Sequence, residues 1–208
     1  MQNYVVDTNF FFNLQIKSGF GSNPKEIIMA VTNIGNHLKK AKKAEFFMPP
    51  LILDEFLTFI DQGDDYIQNF LAMMVVKAPE YSKIDFPAKV FYELVKEMRH
   101  RSYRGLQVGE EVLQESGKTM METEKLSRID YQKTIGEHVK KLRERYRQAT
   151  RVKFLDSVAD LDLIVLAKEL SGTLVTADEG VLLWGREFGV KETLPQVWKR
   201  SLEELLAD

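Results

Sequence analysis

The 208-residue chain predicts an α/β fold, a parallel sheet flanked by helices with a protruding two-helix hairpin inserted into it. Three observations carry this prediction. Short apolar runs that stop on polar residues alternate with stretches of helical periodicity, the pattern of successive strand–helix units. Aspartates fall just after two of those runs. The stretch from 87 to 151 breaks the alternation: it is highly charged, and its apolar residues are sparse and helically spaced.

Tyr4-Val5-Val6 reads as a buried strand that ends at Asp7-Thr8-Asn9. A helix follows over 24–43, opened by Pro24 and closed by Lys39, Lys40, Lys42 and Lys43, whose charges suit its carboxyl end. Glu45 to Met48 is a second strand, stopped by Pro49-Pro50. Helices are expected over 51–60 and 64–76. From Pro87 the chain reads as two long antiparallel helices, with Gly117 as the turn between them. Leu94, Met98, Val139, Leu142 and Tyr146 are too few to make a core, so some are left for subunit contacts. Then come a helix over 160–170 ended by Gly172, a strand over 173–176, and a helix over 181–188 ended by Gly189. The expected organisation is a first part of the main domain at 1–86, the hairpin at 87–151 and the rest of the main domain at 152–208.

Composition narrows the chemistry. There are no cysteines, so disulfides, thiolate metal sites and cysteine nucleophiles are excluded. The three histidines, His37, His100 and His138, are too scattered for a zinc site. No apolar run reaches the ~18–20 residues that span a bilayer. Met1 to Asp7 lacks the layout of a secretory signal, so the cytoplasm is the expected compartment. The net charge of −2 conceals an asymmetry. Residues 96–153 carry 15 Lys and Arg against 9 Asp and Glu; residues 156–208 carry 5 against 11. Such a division suits a protein that grips a polyanion with one segment and holds cations with another, and equally suits ordinary solvated helices.

The aspartates are more specific. Ligands of open α/β sheets bind at the carboxyl ends of the strands, where Asp7 and Asp178 fall. Asp156 and Asp160, four apart, share a helix face. Singly, each reads as well as a turn or a cap. Together they make a pocket of carboxylates that a cation must neutralise, and all-oxygen ligation suits Mg²⁺ or Mn²⁺. Glu55 falls early in the helix after Pro49-Pro50, near the same edge. Thr8, Asn9 and Thr176 are placed to hydrogen-bond the acids, and Asp162, two past Asp160, is an outer candidate. For the polyanion, Lys140, Arg143, Arg145, Arg147 and Arg151 lie late in the hairpin, and Arg143 and Arg147 share a face.

At these residues the chain resembles the PIN-domain nucleases. Val5-Val6-Asp7-Thr8-Asn9 matches that family's first-strand motif, the run from Asp160 to Asp178 its closing motif, and Glu55 its helix glutamate. Over nearly the whole chain, Phe47-Met48-Pro49-Pro50, the helical insertion, Leu155-Asp156-Ser157, and Ala177-Asp178-Glu179-Gly180 with Trp184 are similar to the homologs of Aquifex ribonuclease P. The resemblance implies an RNA-free ribonuclease P, a Mg²⁺- or Mn²⁺-dependent endonuclease that removes the 5′ leader of precursor tRNA. It carries Asp7, Asp156, Asp160 and Asp178 over as catalytic and metal-binding acids. It further implies a large, dodecamer-like homo-oligomer built through the insertion, which helps hold the precursor tRNA. Two alternatives stay open: a toxin-type PIN ribonuclease acting on tRNA or rRNA, and a non-catalytic RNA-binding partner of an RNA ligase. Neither the residues nor the resemblance assigns a role to Phe10-Phe11-Phe12.

Overall fold

Five parallel strands form one sheet in the order β3-β2-β1-β4-β5: β1 Gln2–Val6, β2 Ala44–Met48, β3 Val75–Val76, β4 Thr173–Val175 and β5 Lys191–Thr193. The computed structural model describes residues 1–207 apart from 14, 16, 17, 123–126, 153 and 156. Asp156 therefore lies outside the described residues. The chain divides into two compact units, residues 1–87 with 155–208, and residues 88–154.

The strand order reverses beside β1: the chain moves outward through β2 and β3, then returns to β1's other edge through β4 and β5. Such a switch point leaves a crevice at the carboxyl ends of β1 and β4. β1 is buried from Tyr4 to Val6, as its apolar run requires. Six helices surround the sheet in this unit besides the one-turn α1 (Asn9–Phe12): α2 Pro24–Lys40, α3 Pro50–Leu57, α4 Asp65–Met73, α7 Val158–Glu169, α8 Glu179–Glu187 and α9 Pro195–Ala207. Asn23 caps α2 through its side chain, which accepts from the Glu26 amide, with Pro24 at the first helical position. Gly35 lets α2 settle against its neighbours: a Cβ there would come within 2.6 Å of the Met73 sulfur and 3.1 Å of the Phe46 ring.

The aromatic run after Asp7 is largely core. Phe10 and Phe11 are fully buried. Phe10 meets Phe20 and Trp198 edge-on or nearly so, and Trp198 also touches Tyr4 and Phe46. Trp198 thus ties α9 to β1 and β2. Phe11 packs on Phe56 and Phe70. The short edge strands β3 and β5, and α9, go beyond the sequence expectation, and the helix expected over 64–76 ends at Met73 so that β3 can pair with β2.

In the second unit, α5 (Lys89–Glu122) and α6 (Arg128–Arg151) lie alongside each other. Arg101 donates to the carbonyls of Thr150 and Val152, Arg145 pairs with Glu111 and Glu115, and Lys141 pairs with Glu115. Partner numbers that rise on one helix as they fall on the other make the pair antiparallel. Gly105 permits the close approach, since a Cβ there would lie 2.7 Å from the Tyr146 ring. Gly117 is not the turn: it sits inside α5, with nothing within 4 Å of an added Cβ. A single glycine costs about 1 kcal/mol in a helix interior, which a 34-residue helix absorbs.

Replacing Trp198 with alanine empties the middle of the aromatic cluster. Urea unfolding is expected to show a loss of about 3–5 kcal/mol; a loss below about 1 kcal/mol would mean that α9 is not anchored by this ring.

Candidate active site

The carboxyl end of β1 hands the chain to Asp7, which is almost wholly buried. Its amide donates to the Val175 carbonyl at 3.0 Å, so the backbone pairing of β1 with β4 runs on into the site. Two donors hold the carboxylate. The Thr176 hydroxyl donates to Oδ2 at 2.6 Å, and the Asn9 amide to Oδ1 at 3.3 Å. Thr176, itself fully buried, also accepts from the Asp178 amide at 3.0 Å. One hydroxyl thereby links the ends of β1 and β4. Asp178 caps α8, its Oδ1 accepting from the Val181 amide at 2.9 Å.

Burial pushes the Asp7 carboxyl up to about 6. The bonds from Thr176 and Asn9 pull the other way, and the charges of Asp178 and Glu55 push it up further. Of these two acids, Glu55 is exposed on helix α3.

Asp160 is half-buried on the first turn of α7, behind the cap in which Ser157 accepts from the Ala159 amide. The other end of α7 is fixed beside the start of β1, where Asn3 donates to the Leu170 carbonyl at 3.0 Å. A twelve-residue helix rises about 18 Å, so its first turn lies toward the carboxyl ends of the strands. The amino ends of α7 and α8 both favour negative charge.

The remaining sequence candidates divide. Thr8 is buried and donates to the Ile52 carbonyl at 3.0 Å, tying the end of β1 to α3. Asp162 is buried and accepts from the Tyr81 hydroxyl, and burial raises its carboxyl. Two turns on, Glu169 binds Lys77 Nζ at 2.5 Å and the Glu80 amide at 2.8 Å. These contacts clamp the segment after β3 onto α7. Sequence reasoning missed Tyr81 and Lys77 because their partners lie 81 and 92 residues away, with no local signal to join them. In the helical unit, Lys140, Arg143 and Arg147 are exposed, as is Arg151. Arg145 is turned to Glu111 and Glu115. Among the described residues, no group of three or more His, Asp or Glu closes into a metal-holding set, and no helix is long and apolar enough to cross a membrane.

Residues 3–207 match the family described as PINc domain ribonuclease. The chain is 36% identical to a Thermococcus onnurineus protein named RNA-free ribonuclease P, over 98% of this chain and 95% of that one. Proteins of the same name from Thermodesulfovibrio yellowstonii and Pyrococcus horikoshii are each 34% identical, over 95% and 99% of this chain and 92% and 94% of theirs.

The raised Asp7 carboxyl sets a pH dependence. A folded-state value near 6 against an ordinary 3.8 means that the native state holds the proton more tightly. In metal-free buffer the ionised form then costs the fold up to about 3 kcal/mol above pH 6, and the cost fades as the pH falls below it. Asp7→Asn is expected to raise Tm at pH 8 and to lose that advantage by pH 4. A difference that stays constant across this range would show that Asp7 is not a strained anion.

Proposed function

Because the chain belongs to the RNA-free ribonuclease P family of PINc-domain ribonucleases, we propose that it cuts precursor tRNA at the 5′ leader junction, using the carboxylates gathered around Asp7. The observation that carries the site assignment is the buried Asp7 carboxylate, held by Thr176 and Asn9 and crowded by Asp178 and Glu55. A buried anion among like charges is stable only with a cation to answer it, and the available donors are all oxygen. That donor set fits Mg²⁺ or Mn²⁺ and not zinc.

Asp7, Asp156, Asp160 and Asp178 are the residues we assign to hold the cation. When bound, it supplies charge neutralisation at the phosphate and makes water nucleophilic at neutral pH. The chain's own part is orientation. The Thr176 hydroxyl fixes one Asp7 oxygen and the Asn9 amide the other, so the carboxylate cannot rotate away. Attack of water on phosphorus breaks the bond to the leader's O3′. It leaves a 5′-phosphate on the tRNA and a 3′-hydroxyl on the leader.

Lys140, Arg143, Arg147 and Arg151 are assigned to the phosphate backbone of the substrate, which they would follow without reading bases. Arg145 has a structural role beside them, bracing α6 against α5. The hairpin also exposes Tyr103, Leu106, Leu113, Met121 and Ile129, with Leu113 at 75% and Met121 at 88%. That much bare apolar surface along two helices supports assembly through them. We assign a homo-oligomer well above a dimer, to be read by light scattering.

Incubation with a 5′-leader precursor tRNA and Mg²⁺ is expected to give a single cut at the leader junction. Asp178→Asn should abolish it, and Thr176→Val should slow it by roughly 10–100-fold with the fold retained. Full activity in EDTA, or 2′,3′-cyclic phosphate ends, would overturn the mechanism.

Arg143→Ala combined with Arg147→Ala is expected to weaken precursor binding and to lower the slope of log affinity against log salt by roughly one to two. An unchanged slope would remove these residues from the backbone contact.

A further inference from the structure

Phe12 is the one ring of the Phe10-Phe11-Phe12 run that is not fully buried. It is half-buried, with its centroid 4.8 Å from that of Phe59 at an interplanar angle of 35° and 5.4 Å from that of buried Phe56. Phe59 is 58% exposed. A lone exposed phenylalanine is unremarkable. This one is backed by a second ring, and that ring by a third, so its face is held rigid.

Its place in the chain is the second observation. Asn9, whose amide holds the Asp7 carboxylate, comes three residues before Phe12 on α1. Glu55, whose charge acts on Asp7, comes four residues before Phe59. The turn after α3 continues with bonds from the Thr58 amide to the Glu55 carbonyl and from the Phe59 amide to the Phe56 carbonyl. Each ring thus lies about one helical turn along the backbone from a residue that bears on Asp7, Asn9 through its amide and Glu55 through its charge. Two separate elements therefore each present a residue of the acidic site and, one turn on, an aromatic ring, and the two rings meet. One turn is about 5 Å, comparable to the reach from a phosphate to the base of an adjoining nucleotide.

We propose that Phe12 and Phe59 form a stacking shelf for one unpaired nucleobase of the RNA beside the phosphate that is cut. In a precursor tRNA this is the last leader base, because the base on the other side of the cut is already stacked within the acceptor stem. The proposal rests on the acidic site being the cutting centre. Aromatic stacking accepts any base, since each has a π-face. The shelf therefore positions the leader without selecting its sequence. It also supplies attraction where the carboxylates alone would repel the RNA.

The test uses a precursor tRNA with 2-aminopurine as the last leader base, bound to the full-length protein in EDTA, and the same precursor with an abasic residue at that position. Wild type should quench the 2-aminopurine fluorescence. Phe59→Ala and Phe59→Leu should lose the quench, and Phe59→Trp should keep it. Phe59→Ala should bind the base-bearing precursor roughly ten-fold more weakly and the abasic one no more weakly than wild type does. An unchanged quench in Phe59→Ala, or an equal loss on both precursors, overturns the shelf. If that equal loss comes with a smaller particle in light scattering, Phe59 is a subunit contact instead. A wild type that never cuts at the leader junction sinks the cleavage reading on its own, while the quench still decides the stacking.

Discussion

The hydrogen bond from Thr176 to Asp7 joins the ends of β1 and β4, and the placing of Asp7 beside Asp178 depends on it. Thr176 is fully buried and uses its hydroxyl twice, donating to Asp7 and accepting from the amide of Asp178. The spacing of the two aspartates is thus set by one side chain that cannot rotate. Burial that raises the Asp7 carboxyl is the corollary. A carboxylate kept in water would be easier on the fold, but it would hold a cation loosely and at no fixed angle.

An anion under this strain persists only in a frame that resists relaxing around it. The aromatic residues supply that frame. Phe10 and Phe11 begin three residues after Asp7 and lock into two clusters, one around Trp198 and one around Phe56 and Phe70. Thr8, between them and Asp7, is bonded to the Ile52 carbonyl. The backbone on the far side of Asp7 therefore has no freedom to carry the carboxylate outward. The helix that bears Asp160 is restrained at both ends as well, by Asn3 at its close and by the clamps of Asp162 and Glu169 along its length.

What was legible in the sequence was whatever has a local signal. An aspartate at or soon after the end of an apolar run marks a strand end in a parallel sheet: Asp7 follows β1 directly and Asp178 comes three residues after β4. Proline at the start of α2, and glycine after α7, mark boundaries by their own backbone preferences. What was illegible depends on partners far along the chain or on very short elements. A two-residue β3 has no periodicity to detect. Arg145 reads as one more cation in a stripe until Glu111 and Glu115 are placed across from it. Asp162 reads as one more acid until Tyr81 arrives from a segment 81 residues earlier. Gly117 misled because glycine signals a turn only when its neighbours cannot sustain a helix, and those of α5 can.

The charge asymmetry along the chain acquires a physical meaning from this arrangement. The cations assigned to RNA lie on exposed helix in one unit, where salt screens them within about 10 Å at 0.1 M. The acids lie in the other unit, with Asp7 out of reach of that screening. On the proposed assignment, binding would answer to monovalent salt and cutting to divalent cation. A polyanion approaching the carboxylates gains nothing from them until their charge is neutralised. Attraction from elsewhere must bring it there, and a rigid uncharged surface beside the acids is one of the few that works at any salt.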